Sequence, residues 1–322
     1  MAIICVEGLV KKFGAFTAVS AISFTVKKGE VFGFLGPNGA GKSTTISMLS
    51  TILPPSAGDA TINGFRITRE RDAVRRTIGL VFQDTSLDDQ LTAEENLRFH
   101  ARLYGIPRAT FLARKEEVLQ LVDLEDKKDE IVRTFSGGMK RRLEIARGLI
   151  HHPAVLFLDE PSIGLDPQTR AHLWEYILKL KEEKEMTIFM TTHYMDEAEY
   201  CDRIAIIDRG AIVALDTPAA LKKGVGKDIV TLTTSALRAL KKELVGENIA
   251  FREEGGTLRI DVDDGEAFLP SLLRTLKTPL NTVSLRKPTL DDVFLHLTGR
   301  AIRDEEASKK DILRHAMRMR PR

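Results

Sequence analysis

The residues best suited to chemistry form one run: Gly36, Pro37, Asn38, Gly39, Ala40, Gly41, Lys42, Ser43 and Thr44. The glycines permit positive φ and close backbone approach, so successive N–H groups can turn inward on polyphosphate oxygens while the next helix adds its positive end. Lys42 is then placed for β- and γ-phosphates and the Ser43 hydroxyl for Mg²⁺.

A second group of side chains has the complementary chemistry. Asp159 and Glu160 close an apolar run, and Pro161 breaks it. Mg²⁺ prefers few carboxylates supplemented by phosphate and water, which suits Asp159, and Glu160 is expected on the opposite face of the strand, where it could orient a water for attack on a γ-phosphorus. His193 follows another apolar run, 187–192, and Gln83 follows 78–82. The first could donate to a γ-phosphate; the second could touch the metal or the attacking water. Each alone reads more readily as a structural residue.

These residues need a scaffold, and the pattern supplies one. Short β-rich runs at 3–6, 22–26, 31–35, 61–63, 78–82, 154–158, 187–191 and 204–207 alternate with helical patterns, as a mostly parallel sheet with crossover helices requires. Between 84 and 150 the strand signal gives way to helices, opened by a possible capping box at Thr92 and Glu95. The spacing predicts three regions: a domain over 1–224 with a helical subdomain near 84–150, a small ferredoxin-like α+β module over 227–299, and a basic tail over 300–322.

Composition excludes several classes. The 322 residues are 43% hydrophobic and 29% charged with a net charge of +2, neither disordered nor broadly polybasic. Residues 301–322 hold seven Lys/Arg against four Asp/Glu. Apolar runs are only strand-length and the start lacks a secretory pattern, so a cytoplasmic location is expected. Cys5 and Cys201 have no metal-binding spacing and read as reduced, structural thiols.

A third motif, Ser136-Gly137-Gly138-Met139-Lys140, leads into the helical run 141–149 shortly before Asp159. In this order and spacing the motifs resemble the nucleotide-binding subunit of ATP-binding cassette (ABC) transporters over residues 1–220. The fold the resemblance implies is an α/β P-loop cassette, with a mostly parallel sheet core, an antiparallel β subdomain and a helical subdomain. It implies ATP and Mg²⁺ as ligands, residues 36–44 as the phosphate loop, Gln83 as the Q-loop glutamine, Ser136 to Gly138 as the signature, Asp159 and Glu160 as metal and catalytic carboxylates, Asp166 as the D-loop aspartate and His193 as the switch histidine. Ser43 and Gln83 join Asp159 as metal ligands on that reading. Phe13 stands where the family usually has a base-stacking tyrosine. Phe135 and Met139 replace the commoner leucine and glutamine.

The runs 193–199 and 288–299 are similar to the drug-resistance exporter branch, although Leu290, Val293, Phe294 and Leu297 also share one apolar helix face. The resemblance implies a homodimer in which the signature of one subunit closes on the nucleotide of the other. It also implies a membrane permease touched near Gln83 and residues 84–91, a place on the cytoplasmic face of the cell membrane, and export of a drug, lipid or polysaccharide-like substrate. A soluble ABC ATPase acting on nucleic acid or ribosomes is the alternative, encouraged by the basic tail and opposed by the single cassette and the lack of a heptad run. No nucleic-acid partner is expected.

Overall fold

The computed structural model describes residues 1–299, so the expected basic tail lies outside the described residues. The first compact unit is Met1–Pro218, and a second begins at Ala219, six residues before the expected boundary.

In chain order the first unit contains β1 (Ala2–Phe13), β2 (Phe16–Lys27), β3 (Val31–Leu35), α1 (Lys42–Leu49), β4 (Ala57–Ile62), β5 (Phe65–Arg66), α2 (Arg71–Thr77) and β6 (Ile78–Val81). Then follow α3 (Ala93–Leu103), α4 (Arg108–Leu121), α5 (Gly137–Leu149), β7 (Val155–Asp159), α6 (Pro167–Lys184), β8 (Thr187–Thr192), α7 (Met195–Ala198), β9 (Arg203–Asp208) and β10 (Ala211–Asp216).

Six strands form the central sheet in the order β10-β9-β3-β8-β7-β6, parallel except for the edge strand β10. Both faces are covered, so every residue of β3, β7 and β8 is buried, as near-continuous apolar runs demand. Phe24, Phe32, Phe34, Phe157 and Phe189 fill the space beneath, with Phe32 and Phe189 ring centroids 5.6 Å apart. Burying each such side chain contributes roughly 1.5–3 kcal/mol.

A second, antiparallel sheet runs β2-β1-β4-β5. β1 and β2 are longer than the sequence pattern suggests because they form a long hairpin, turning at Gly14 with φ +58° and pairing Phe13 with Phe16. Within the region read as helical, 84–150, α3, α4 and α5 lie between 93 and 149, and the capping box at Thr92 and Glu95 is present.

After α8 (Pro218–Val225), whose first residue closes the first unit, the second carries β11 (Asp228–Thr233), α9 (Leu237–Gly246), β12 (Arg252–Glu254), β13 (Thr257–Val262), α10 (Gly265–Thr275), β14 (Thr282–Arg286) and α11 (Leu290–Thr298). Its sheet order, β12-β13-β11-β14, is antiparallel throughout and is that of a ferredoxin-like module. Two details differ from the sequence reading. The strand placed at 249–252 lies at Arg252–Glu254, because Ile249 turns into the core. In α11, Leu290, Val293 and Phe294 are buried but Leu297 is exposed, so the apolar face is one turn shorter than its spacing suggests.

Candidate functional site

Parallel neighbours end at the same edge, and four adjacent strands bring the candidates there. β3 delivers residues 36–44, β8 delivers His193, β7 delivers Asp159 and Glu160, and β6 leads to Gln83.

The loop after β3 depends on its glycines. Gly39 and Gly41 have φ +83° and +108°, and a Cβ on Gly36 would lie 2.3 Å from the Ile207 carbonyl oxygen. Gly41 caps α1 without a side-chain hydrogen bond, so first-turn N–H groups remain oriented toward the loop. Lys42 is buried; its Nζ donates to the carbonyls of Gly36 at 2.8 Å and Pro37 at 3.1 Å and pairs with Glu160 Oε1 at 3.0 Å. Ser43 Oγ lies 3.2 Å from Asp159 Oδ1, which also accepts from Thr191 Oγ1 at 2.6 Å. A hydroxyl beside one carboxylate is a hard-oxygen set that fits Mg²⁺ completed by phosphate and water.

Glu160 does not continue the strand to its opposite face as expected. β7 ends at Asp159, and Glu160 has φ +46°, a left-handed turn that carries its carboxylate toward Lys42 and His193. Its N–H donates to the Thr191 carbonyl at 3.2 Å and hydroxyl at 3.0 Å, and Oε2 lies 3.0 Å from His193 Nδ1. Burial alone would raise the carboxyl pKa, but the His193 hydrogen bond and the Lys42 charge outweigh it and hold it at about 2. Gln83 lies past the end of β6, which stops at Val81, and is exposed.

Phe13, Asn38, Gly39, Gly41, Lys42, Ser43, Thr44, Gln83 and Glu160 line one cleft of about 460 Å³. Phe13 is 49% exposed, and across the hairpin Phe16, 64% exposed, lines the same cleft. The sequence reading missed Phe16, whose signal was its place beside the Gly14 turn.

Ser136, Gly138 and Leu165 line a separate cleft that shares no residue with the first. Ser136 caps α5 by accepting from the Met139 N–H at 3.2 Å, and Gly137 occupies its first turn. Asp166 caps α6 through the N–H groups of Gln168 and Thr169. Thr169, bonded to Asp166, lines the cleft of Ser136 and Gly138, and no residue of the phosphate loop does.

Three more residues escaped the sequence reading. Thr191 holds both Asp159 and Glu160. Glu197, buried with its carboxyl raised chiefly by desolvation, accepts from the hydroxyls of Ser162 and Thr192. Arg141 donates to main-chain carbonyls beside Glu160. Each is a polar residue on an otherwise buried face, a signal that one-dimensional periodicity hides.

Comparison with known proteins agrees with this geometry. Residues 19–163 match the family model "ABC transporter", and residues 217–298 match "ATP-binding protein DrrA1-3-like, C-terminal domain". The chain is 41% identical to the linearmycin resistance ATP-binding protein of Bacillus subtilis, over 92% of this chain and 99% of that one. It is 40% identical to the Nod factor export ATP-binding protein I of Ralstonia nicotianae, covering 94% and 95%. To the daunorubicin/doxorubicin resistance ATP-binding protein of Streptomyces peucetius it is 39% identical, covering 95% and 96%. Among solved structures, cbiO1 of Clostridium perfringens, part of an ABC transporter complex, superposes with TM-score 0.64 at 30% identity, covering 68% of this chain and 90% of that one. A dimeric cassette in a post-hydrolysis state with ADP and Pi bound gives TM-score 0.59 at 28% identity, covering 66% and 98%. On these similarities the chain belongs to the ATP-binding subunits of ABC transporters, in the drug-resistance exporter branch.

Proposed function

We propose that this ATPase powers export of a drug, lipid or polysaccharide-like substrate through a separate membrane permease, by closing on ATP as a homodimer and reopening after hydrolysis. ATP-binding subunits of this family dimerise and work with permeases. Among the described residues no helix is long and apolar enough to cross a membrane, so the reading assigns the membrane path to a partner and makes this subunit peripheral on the cytoplasmic face. The names of the linearmycin, Nod factor and daunorubicin/doxorubicin relatives support export and its cargo class.

The observation that carries the reading is the convergence of Lys42, Ser43, Asp159, Glu160 and His193 at the ends of neighbouring strands. On this reading the loop N–H groups and Lys42 bind the β- and γ-phosphates, and Phe13 with Phe16 stacks on the base. Ser43, Asp159 and Gln83 would hold Mg²⁺, which would supply positive charge to the phosphate oxygens.

Glu160 orients the water that attacks the γ-phosphorus in line; the new P–O bond forms as the bond to the ADP oxygen breaks, and the water proton leaves through the carboxylate. At a pKa of about 2 this carboxylate is a weak base. Moving Lys42 onto phosphate removes one of the groups that lower it, so substrate binding raises its basicity toward what the step needs. On this reading His193, whose Nδ1 lies 3.0 Å from Glu160 Oε2, contacts the γ-phosphate.

Ser136 to Gly138 and Asp166 contact the nucleotide of the second protomer. The cleft lined by Ser136 and Gly138 shares no residue with the one lined by this chain's phosphate loop, which supports a composite site. ATPase assays of the purified chain test the reading. Lys42→Ala and Glu160→Gln should each abolish turnover, with ATP binding retained only in the second. Retained turnover in Glu160→Gln would contradict it. Coexpression with a multi-helix membrane protein encoded alongside should give a copurifying complex, and a subunit that never binds one would count against the export role.

A further inference from the structure

One turn beyond the signature, α5 buries a guanidinium against the catalytic end of the sheet. Arg141 is 6% exposed. Its Nε donates to the Pro161 carbonyl at 2.7 Å and Nη2 to the Asp159 carbonyl at 3.3 Å. Nη1 donates to the Phe82 carbonyl at 2.5 Å and to Glu144 Oε2 at 2.9 Å. Glu144, fully buried, accepts from the Ser86 N–H at 2.8 Å through its other oxygen.

The three carbonyls are not scattered. Two flank Glu160, the residue held at φ +46°, and the third belongs to the residue before Gln83. One fork therefore fixes the backbone on both sides of the carboxylate and at the start of the Gln83 loop. Packing a helix on a sheet needs only apolar contact, and a buried ion pair is weak evidence for stability because desolvation offsets attraction. What the guanidinium adds is direction: planar, multiple donors that a lysine ammonium cannot reproduce at three separated carbonyls.

We propose that Arg141 is a positioning residue for Glu160 and the Gln83 loop, and that it ties the signature end of α5 to the catalytic carboxylate of the same chain. The second half rests on the proposed dimer, in which Ser136 meets the partner's nucleotide. Closure there is then transmitted by α5 to this chain's own Glu160, so each site reports on the other.

The test compares the full-length chain with Arg141→Lys, which keeps the charge, and with Arg141→Met/Glu144→Leu, which leaves no buried charge unpaired. ATP turnover, KM and thermal unfolding are measured for each, and ATP-dependent dimerisation is measured in a Glu160→Gln background. Expected are folded proteins in which kcat falls at least about tenfold while KM for ATP stays within about twofold, the pattern of an interaction lost mainly in the transition state. Arg141→Lys/Glu160→Gln should dimerise at the same ATP concentration as Glu160→Gln. Turnover within about twofold of wild type in either folded variant, or a KM rise at constant kcat, overturns the positioning role. Loss of ATP-driven dimerisation specific to Arg141→Lys also overturns it, because Arg141 would then serve the signature itself. Failure of Glu160→Gln alone to dimerise removes the dimer reading, and the kcat and KM pattern still decides the role of Arg141 toward Glu160.

Discussion

Replacing Gly138 by alanine should separate the packing role of the signature from its ligand role. A Cβ built there would lie 2.4 Å from Thr169 Cγ2, more than an ångström inside ordinary carbon contact at about 3.5–4.0 Å. Thr169 cannot simply rotate away, because its hydroxyl donates to Asp166 Oδ2 at 2.6 Å and its N–H to Asp166 Oδ1 at 3.0 Å. Relief must come from α5 shifting off α6 or from breaking the α6 cap, and overpacking of this kind costs about 1–3 kcal/mol. For a chain this long, at about 2–4 °C per kcal/mol, Tm should drop by roughly 2–12 °C. Thr169→Ser deletes the offending methyl and keeps the hydroxyl; the remaining neighbours, Oγ1 at 3.5 Å and Cβ at 3.6 Å, are in ordinary contact. Thermal unfolding of the two single variants and the double variant decides the matter. Gly138→Ala should be destabilised, Thr169→Ser nearly neutral, and the pair restored to within about 1 kcal/mol of wild type. A double variant as unstable as Gly138→Ala refutes the steric argument. Restored stability without restored ATPase activity would assign the remaining loss to contact with nucleotide.

Other outcomes follow from the same geometry. The folded Glu160 carboxyl lies near 2 against a reference of 4.5, so its ionised form stabilises the fold above pH 4.5, and that contribution fades as pH falls toward 2. Wild type should therefore exceed Glu160→Gln by on the order of 3 kcal/mol in denaturant titrations at pH 7. A margin that grows on acidification would reverse the sign. Phe13→Ala should raise the KM for ATP about 2- to 12-fold at unchanged kcat, with a further rise when Phe16 is also removed; an unchanged KM in the double variant rules out stacking by this hairpin. Glu197→Ala strips the Ser162 and Thr192 hydroxyls of a buried acceptor and should cost roughly 1–3 kcal/mol in urea unfolding, with Glu197→Gln milder. Equal loss in both would point to the Arg170 charge, 3.7 Å away, instead.

Much of this site was legible because chemistry and strand ends coincide in the chain. Gly36 to Thr44 follow an apolar strand, and Asp159 ends one, so polar residues at these strand ends announced themselves. What stayed hidden depends on three dimensions. The turn at Glu160 is held where the Asp159 carbonyl accepts from Arg141 and the Glu160 N–H donates to the Thr191 hydroxyl, two residues distant in sequence that nothing in the local pattern selects. Phe16 reads as an ordinary strand residue until the hairpin register pairs it with Phe13. β1 and β2 were underestimated because their outer parts, 7–13 and 16–21, bury few apolar side chains and end exposed at the turn, so the apolar run fades there. Leu297 shares the helical spacing of Leu290 and Phe294 yet is 40% exposed, so periodicity alone overstated its burial.

On the proposed reading, nucleotide is clamped between the phosphate loop of one protomer and the Ser136 helix of another. Sedimentation of Glu160→Gln with and without ATP, beside Ser136→Arg/Glu160→Gln, measures it most directly. ATP should convert the first protein to a dimer, whereas the second should bind ATP and remain monomeric. ATP-bound Glu160→Gln that stays monomeric, or a Ser136→Arg variant that dimerises equally well, would contradict the clamp.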